Sequence, residues 1–280
     1  MNIQNTLTEG LKKLRYSNIK TSQLDSEILL SEAINKDRKY IILNSNQFVC
    51  KKHFNKFNNL IQRRAKGEPV AYLINKKEFW KETFFVNKNV LIPRPDTEVL
   101  VEAVLKIFSK NSKLSMLDIG VGSGCILLSI LKERPNFYGT GIDISKGSIN
   151  VCKYNTQLMN LSNRVKFYNS DVDNFIIGKY DLITSNPAYI NLISLKYLKK
   201  DVVNYEPKLA LNGGLDGFSQ IRKVISKAAI LIKKNGKFIL EIDCNQRNKA
   251  FKMLKDNKFY INKILKDYGN KDRCIISTKI

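Results

Sequence analysis

Histidine is nearly absent from this 280-residue sequence: His53 stands alone, in a basic stretch that reads as helix. A single histidine argues against Ser-His-Asp or Cys-His triads and most histidine acid–base chemistry. The five cysteines, Cys50, Cys125, Cys152, Cys244 and Cys274, are scattered and form no C-x-x-C pair. Neither a zinc site nor a disulfide framework is expected, and no metal. No apolar run approaches the roughly 20 residues that span a bilayer. The first residues, Met1 to Glu9, lack the positive start and apolar core of a signal peptide. The expectation is a cytoplasmic protein with no membrane partner. Acidic residues are also few, 25 against 48 Lys and Arg, which leaves a net charge of +23. Such charge suits RNA or ribosomes. The lysines are spread through both halves, however, which reads as compositional bias rather than as a binding face.

What is present is enough apolar residue, 43%, and enough length for two packed domains. Residues 1 to about 70 read as helical. Leu7, Leu11 and Leu14 follow one stripe; Thr21-Ser22 offer an N-cap to a second helix with Leu24, Ile28, Leu29 and Ala33 on its face. A third segment, with Phe54, Phe57, Leu60 and Ile61, stops near Gly67. From Gly67 the period changes. Val70 to Leu73, Glu78 to Trp80 and Phe84 to Val86 read as short strands of a hairpin. Pro93-Arg94-Pro95-Asp96-Thr97-Glu98 fixes an extended entry to a helix running to Phe108, with Asp96 or Thr97 as cap and an Arg94–Glu98 pair in prospect.

Strand, glycine turn and helix follow: Leu114 to Ile119, then Gly120-Val121-Gly122-Ser123-Gly124, then Cys125 onward. Glycines there let backbone approach a ligand at a helix N-terminus. A second strand ends at Asp143, 19 residues after Gly124 by subtraction, close to the spacing of a ribose-binding carboxylate. A dinucleotide would want G-x-G-x-x-G. The D-x-G-x-G-x-G pattern from Asp118 suits a ligand without pyrophosphate, S-adenosyl-L-methionine (SAM), better than NAD. A third strand, Val165 to Asn169, ends before Asp171 and Val172, where adenine is expected.

A fourth strand, Tyr180 to Thr184, leads into Ser185-Asn186-Pro187-Ala188-Tyr189. Pro187 fixes its own φ and keeps Asn186 out of the helical region. An amide and a ring held at a strand end make a grip for a planar group bearing donors and an acceptor. Alone, the motif reads as an ordinary Asn-Pro turn; the glycine turn upstream gives it meaning. A fifth strand, Lys237 to Ile242, and a closing antiparallel pair around Ile261–Leu265 and Cys274–Thr278 complete a sheet.

With these motifs placed, the sequence resembles the PrmC/HemK family of protein-(glutamine-N5) methyltransferases over nearly its whole length. The specific markers are Gly67 to Leu73 with Glu78-Phe-Trp80, Leu91 to Glu98, Asp118 to Gly124, Asn186 to Tyr189, Glu206-Pro with Gly213-Gly-Leu-Asp-Gly217, and Asp267-x-Gly269-x-x-x-Arg273. The resemblance implies an α/β fold: a Rossmann-like seven-stranded class I SAM-dependent methyltransferase domain, preceded by a small α-helical domain and a β-hairpin linker. The boundaries expected are 1–70 for a helical, substrate-recognising domain, 71–92 for the linker and 93–280 for the catalytic domain. It also implies methyl transfer to the glutamine of the Gly-Gly-Gln tripeptide in peptide chain release factors. By position, Gly120, Val121, Gly122, Ser123 and Gly124 would cradle SAM, Asp143 would hold its ribose, and Asp171 and Val172 would flank adenine. Asn186 would touch both ligands, and Asn186, Pro187, Ala188 and Tyr189 would grip the glutamine amide, with Asn186, Pro187 and Tyr189 catalytic. The chain departs from the pattern at Ala188, where the family has Pro, at Val172, often Trp, and at Asp243, usually Gly. The alternative reading is an adenine amino-methyltransferase acting on nucleic acid. It lacks the Pro-Arg-Pro-Asp-Thr-Glu segment and double-glycine loop, so no direct nucleic-acid substrate is expected.

Overall fold

A computed structural model describes residues 1–280, and the chain forms two compact units. Residues 1–76 with 199–205 make one, and residues 77–198 with 206–280 make the other.

The first unit is helical. α1 (Ile3–Tyr16) starts from Asn2, whose Oδ1 accepts the Asn5 N–H at 2.8 Å. α2 (Ser22–Ile34), the short α3 (Arg38–Leu43) and α4 (Lys51–Ala65) follow. Their core holds Ile3, Leu14, Leu29, Leu30, Phe57 and Ile61. Gly10 lets α1 and α4 touch: a Cβ there would stand 2.5 Å from the Phe57 ring. α2 turns differently from the expected face. Leu24 is 42% exposed and Leu30 is buried, because the inward stripe runs Ser22, Asp25, Ser26, Leu29, Leu30, Ala33. Thr21 makes no cap; its hydroxyl donates to Asp25 Oδ2, which also accepts from the buried Arg64 at 2.7 Å. Gly67, at φ +97, ends this run. Val70–Ile74, expected as strand, is a helical turn, α5. Pro69 presets its first turn, Asn75 stops it in the left-handed region, and a five-residue apolar run carries no period that tells helix from strand.

The second unit opens with a hairpin, β1 (Lys76–Phe79) and β2 (Glu82–Phe85). Trp80 holds its turn at φ +57. Glu98 Oε1 accepts the Trp80 N–H at 2.8 Å, so Glu98 does not pair with Arg94 as expected; Arg94 pairs with Glu206 at 2.5 Å. A single 3-10 turn, Pro95–Thr97, leads into α6 (Glu98–Ile107), and neither Asp96 nor Thr97 caps it. Then come β3 (Leu114–Ile119), α7 (Cys125–Glu133), β4 (Phe137–Asp143), α8 (Lys146–Leu158), β5 (Val165–Asn169) and β6 (Tyr180–Ser185). The turn α9 (Leu192–Leu195) follows, and α10 (Lys200–Tyr205) returns to the helical unit, where the Tyr205 hydroxyl donates to the Lys66 carbonyl at 3.0 Å. α11 (Ser219–Leu231), β7 (Ile232–Glu241), α12 (Arg247–Asp256), β8 (Phe259–Lys266) and β9 (Asp272–Lys279) close the unit.

The seven strands lie in the order β5-β4-β3-β6-β7-β9-β8. The first five are parallel; β9 runs antiparallel to β7 and β8 antiparallel to β9. Chain order runs outward from β3 to β4 and β5 one way and from β6 to β7 the other, with the antiparallel β9 and β8 beyond. The β3/β6 edge is therefore a switch point, where a doubly wound sheet leaves a crevice beyond its carboxyl ends.

Candidate functional site

A cavity of about 240 Å³ lies at that crevice. Consecutive strand ends supply its walls: Gly120 to Ser123 after β3, Asp143 at the end of β4, Asp171 and Val172 after β5, and Asn186 to Ala188 after β6. Thr97 and Arg94 come from the Pro-Arg-Pro segment. The sequence therefore brought together residues spread over nearly a hundred positions.

The glycine turn is built to leave backbone open. Gly120 and Gly122 sit at φ +77 and +54, where a side chain is strained. A Cβ at Gly120 would meet nothing within 4 Å. The N–H groups of Gly120 and Val121 both donate to the Ile142 carbonyl at 2.9 Å, fixing the turn to β4. Asp143 accepts from Gly122 N–H at 3.0 Å through Oδ2 and from Ser145 N–H at 2.8 Å through Oδ1. Burial raises its pKa, and those N–H groups pull it back. Each oxygen keeps a lone pair for a ligand hydroxyl. Gly124 differs from its neighbours in the turn. It lies off the cavity wall at φ +85, and a Cβ there would fall 2.5 Å from Cys152 Sγ. It is the glycine that lets α7 sit close to α8. Asn155, fully buried on α8, braces the turn from behind: Nδ2 donates to Ser123 O at 2.8 Å and Phe85 O at 3.0 Å, and Oδ1 accepts from Phe85 N–H at 2.8 Å.

SAM fits these walls on their chemistry. The charged residues lining the cavity are Asp143, Asp171 and Arg94, and Arg94 is already held by Glu206. Two carboxylates and one neutralised cation suit a sulfonium ligand with a ribose. They give a pyrophosphate no free cation.

On the β6 side, Asn186 Nδ2 donates to Thr97 Oγ1 at 3.2 Å, leaving Oδ1 without a partner from the chain. The chain beyond the turn is pinned. Gly213 N–H donates to Ile190 O at 2.8 Å, Leu192 N–H to Gly214 O at 3.1 Å, and Gln246 Nε2 to Tyr189 O at 3.1 Å. Cβ atoms at Gly213 and Gly217 would stand 2.7 and 2.6 Å from Tyr189 backbone atoms, so the double-glycine loop is shaped to this strap. These bonds hold the path that a proline at position 188 would otherwise stiffen. Tyr189 itself does not line the cavity. Its ring packs half-buried on the sheet core, and burial together with Glu241 raises its pKa.

Two buried carboxyls stand behind the site; the sequence places Asp118 in the glycine-turn motif and Glu241 in the fifth strand, with no role for either. Asp118 accepts from the Thr184 hydroxyl at 2.8 Å, and burial pushes it up to about 7. Glu241, at the end of β7, is 2% exposed and is likewise pushed up to about 7 by burial, against the Thr97 hydroxyl, the Arg273 guanidinium and the Asn186 amide. Their positions at the ends of buried strands were the signal available.

Fold and site together define a SAM-dependent methyltransferase of the seven-stranded class. The PrmC N-terminal domain family matches residues 5–74, and a methyltransferase domain family matches residues 110–277. Two curated relatives are each called "Release factor glutamine methyltransferase". One, from Buchnera aphidicola subsp. Schizaphis graminum, is 38% identical over 100% of both chains. The other, from Clostridium acetobutylicum, is 36% identical over 100% of this chain and 99% of the relative. The chain belongs to the PrmC family of release factor glutamine methyltransferases. Solved structures share the fold at lower identity. A methyltransferase from Pyrococcus furiosus aligns with a TM-score of 0.52 at 17% identity, over 70% of this chain and 88% of that one. A ribosomal protein L11 methylase from Lactobacillus delbrueckii subsp. bulgaricus aligns at 0.50 and 16% identity, over 70% and 84%.

Proposed function

We propose that this enzyme methylates the side-chain amide nitrogen of the glutamine in the Gly-Gly-Gln tripeptide of peptide chain release factors. The observation that carries the reading is Asn186: a rigid amide on the cavity wall, its Nδ2 engaged by Thr97 and its Oδ1 free. An amide nitrogen is a weak nucleophile because its lone pair is delocalised. SAM supplies an electrophilic methyl on a sulfonium. The chain's task is to hold the nitrogen in line with that methyl and to stabilise the positive charge that grows on it. Asn186 Oδ1 and the Pro187 carbonyl each accept one N–H of the glutamine NH₂. Pro187 has no N–H and a fixed φ, so its carbonyl stays where the turn sets it. Ala188 and the strap through Tyr189 keep that turn in place. Gly120 to Ser123 face the donor, Asp143 receives its ribose hydroxyls, and Asp171 and Val172 border the adenine. No histidine base is needed, since the alkylated nitrogen sheds its proton after transfer.

The helical unit is the release-factor recognition domain in this reading, and the cytoplasm is its setting; no helix of the chain is long and apolar enough to cross a membrane. The test is mass spectrometry of an unmethylated release factor after incubation with enzyme and SAM. The expected result is one added methyl on the glutamine of the tripeptide with wild-type enzyme and almost none with Asn186→Ala. Equal modification by both proteins would remove Asn186 from the mechanism.

A further inference from the structure

Thr97 Oγ1 sits beside the Asn186 amide, and a hydroxyl can act there as donor or acceptor. Which end of the amide faces the cavity therefore depends on where the Thr97 proton goes. Behind Thr97 lies Glu241. Its strand neighbour pairs bring it level with Asn186: Ser185 pairs with Leu240 across the β6/β7 ladder, and the next residues are Asn186 and Glu241. The carboxylate is almost fully buried, and its Oε2 has no hydrogen-bond partner. Arg273, anchored by Asp267 at 2.8 and 3.1 Å, favours its charge.

We propose that Glu241 is a positioning residue that fixes the orientation of the Asn186 amide by dictating the direction of the Thr97 hydroxyl. The inference rests on the reading of Asn186 Oδ1 as the acceptor for the substrate amide. An ionised carboxylate only accepts. It draws the Thr97 proton toward itself, so Oγ1 has only lone pairs to offer Asn186. Nδ2 must then turn to Thr97, and Oδ1 must face the cavity. A protonated Glu241 donates to Thr97 instead. That frees the hydroxyl proton for the amide oxygen, and Asn186 can flip, presenting an N–H to a substrate N–H. Chemistry therefore needs ionised Glu241. Glu241 also reaches the Asn186 amide itself, and an ionised carboxylate can only accept from Nδ2 there, which favours the same orientation.

The groups that face Glu241 are few. Arg273 and Cys274 come from β9, Asp96 from the 3-10 turn, Cys125 from the start of α7, and Tyr189 from the strap. Burial pushes both thiols and the phenol above their usual ranges, and Arg273 is raised. Asp96 lies 3.7 Å from Arg273 and opposes the charge on Glu241. Burial pushes Glu241 itself up to about 7.

The experiment compares wild type with Glu241→Gln, Thr97→Val, Thr97→Ser and Asn186→Ala, using full-length enzyme and unmethylated release factor. Glu241→Gln keeps volume and can donate or accept. Its kcat is expected to fall about 10- to 100-fold, the scale of a misplaced reacting group, with little change in KM or in SAM affinity by calorimetry. Wild-type kcat is expected to fall on the acid side of about 7. Glu241→Gln should lose that limb, and Thr97→Ser should restore most of the rate lost in Thr97→Val. In the enzyme without SAM, the Asn186 side-chain amide NMR resonances should move with pH in wild type and stay still in Glu241→Gln. Wild-type kcat or an unchanged acid limb in Glu241→Gln, while Asn186→Ala is slow, overturns the role of Glu241 alone. Full activity in Asn186→Ala overturns this inference together with the reading beneath it.

Discussion

Asn186 and Thr97 lie 89 positions apart, yet Nδ2 of one donates to Oγ1 of the other at 3.2 Å on the wall of the SAM cavity. The pairing joins the Asn-Pro turn to the Pro-Arg-Pro-Asp-Thr-Glu segment. It explains why the segment matters to a site whose glycine turn and Asn-Pro motif are otherwise widely shared. If Asn186 supplies the acceptor for the growing charge, Asn186→Ala should slow methyl transfer by about 10²–10³, as loss of one positioned hydrogen-bonding group does. SAM affinity should change little. Single-turnover rates and calorimetry check the two halves separately.

The two ends of the glycine turn should fail in different ways. Gly124→Ala drives a methyl into Cys152 Sγ and Leu128 from a backbone at φ +85. It should cost about 2–4 kcal/mol of stability through overpacking and left-handed strain. Gly120→Ala meets nothing within 4 Å and should lose less stability, while its methyl narrows the approach of SAM. Thermal melts with calorimetric SAM titrations of both variants give the contrast; equal loss of binding with equal stability would contradict it.

Asp143→Ala removes the carboxylate that receives the ribose and accepts from Gly122 and Ser145. SAM affinity should weaken about 10- to 100-fold, the worth of hydrogen bonds to a charged group. Titration calorimetry reads it directly.

Asn155→Ala leaves Ser123 and Phe85 backbone groups without partners inside the fold. The expected loss is about 2–4 kcal/mol. Chemical denaturation, with SAM binding measured on the folded fraction, checks that the loss is structural.

Asp118 predicts a pH effect on stability. Burial holds its carboxyl near 7 in the fold, against about 4 in an unfolded chain. The folded state keeps the proton more tightly. Its stabilising contribution is full below about 4 and is lost as pH rises through about 7. Asp118→Asn removes that dependence, so its Tm relative to wild type should rise between about pH 5 and pH 8. A constant difference across that range would contradict the assignment.

Much of this was legible in the sequence because the motifs mark strand ends. Gly120 to Ser123, Asp143, Asp171 and Asn186 stand at or just beyond the ends of predicted strands, and parallel strands gather their carboxyl ends in one place. What was not legible depended on tertiary partners. Val70–Ile74 is too short to show a period, and Pro69 and Asn75 made it a helical turn. Glu98 turned to the Trp80 backbone and Arg94 to Glu206, pairings that no local spacing shows. Gly124 also answers to a contact with Cys152, which no local spacing shows. Tyr189 followed its backbone strap onto the sheet core. Glu241 read as one residue of an apolar fifth strand, Lys237 to Ile242, and only the β6/β7 register set it level with Asn186.

Transfer of labelled methyl from SAM to purified, unmethylated release factor tests the central claim most directly. A factor with alanine in place of the Gly-Gly-Gln glutamine is the control, and nucleic acid the competing acceptor. The account predicts label on the wild-type factor and none on the control or the nucleic acid. Label on nucleic acid alone, or on neither acceptor while SAM binds normally, would contradict it.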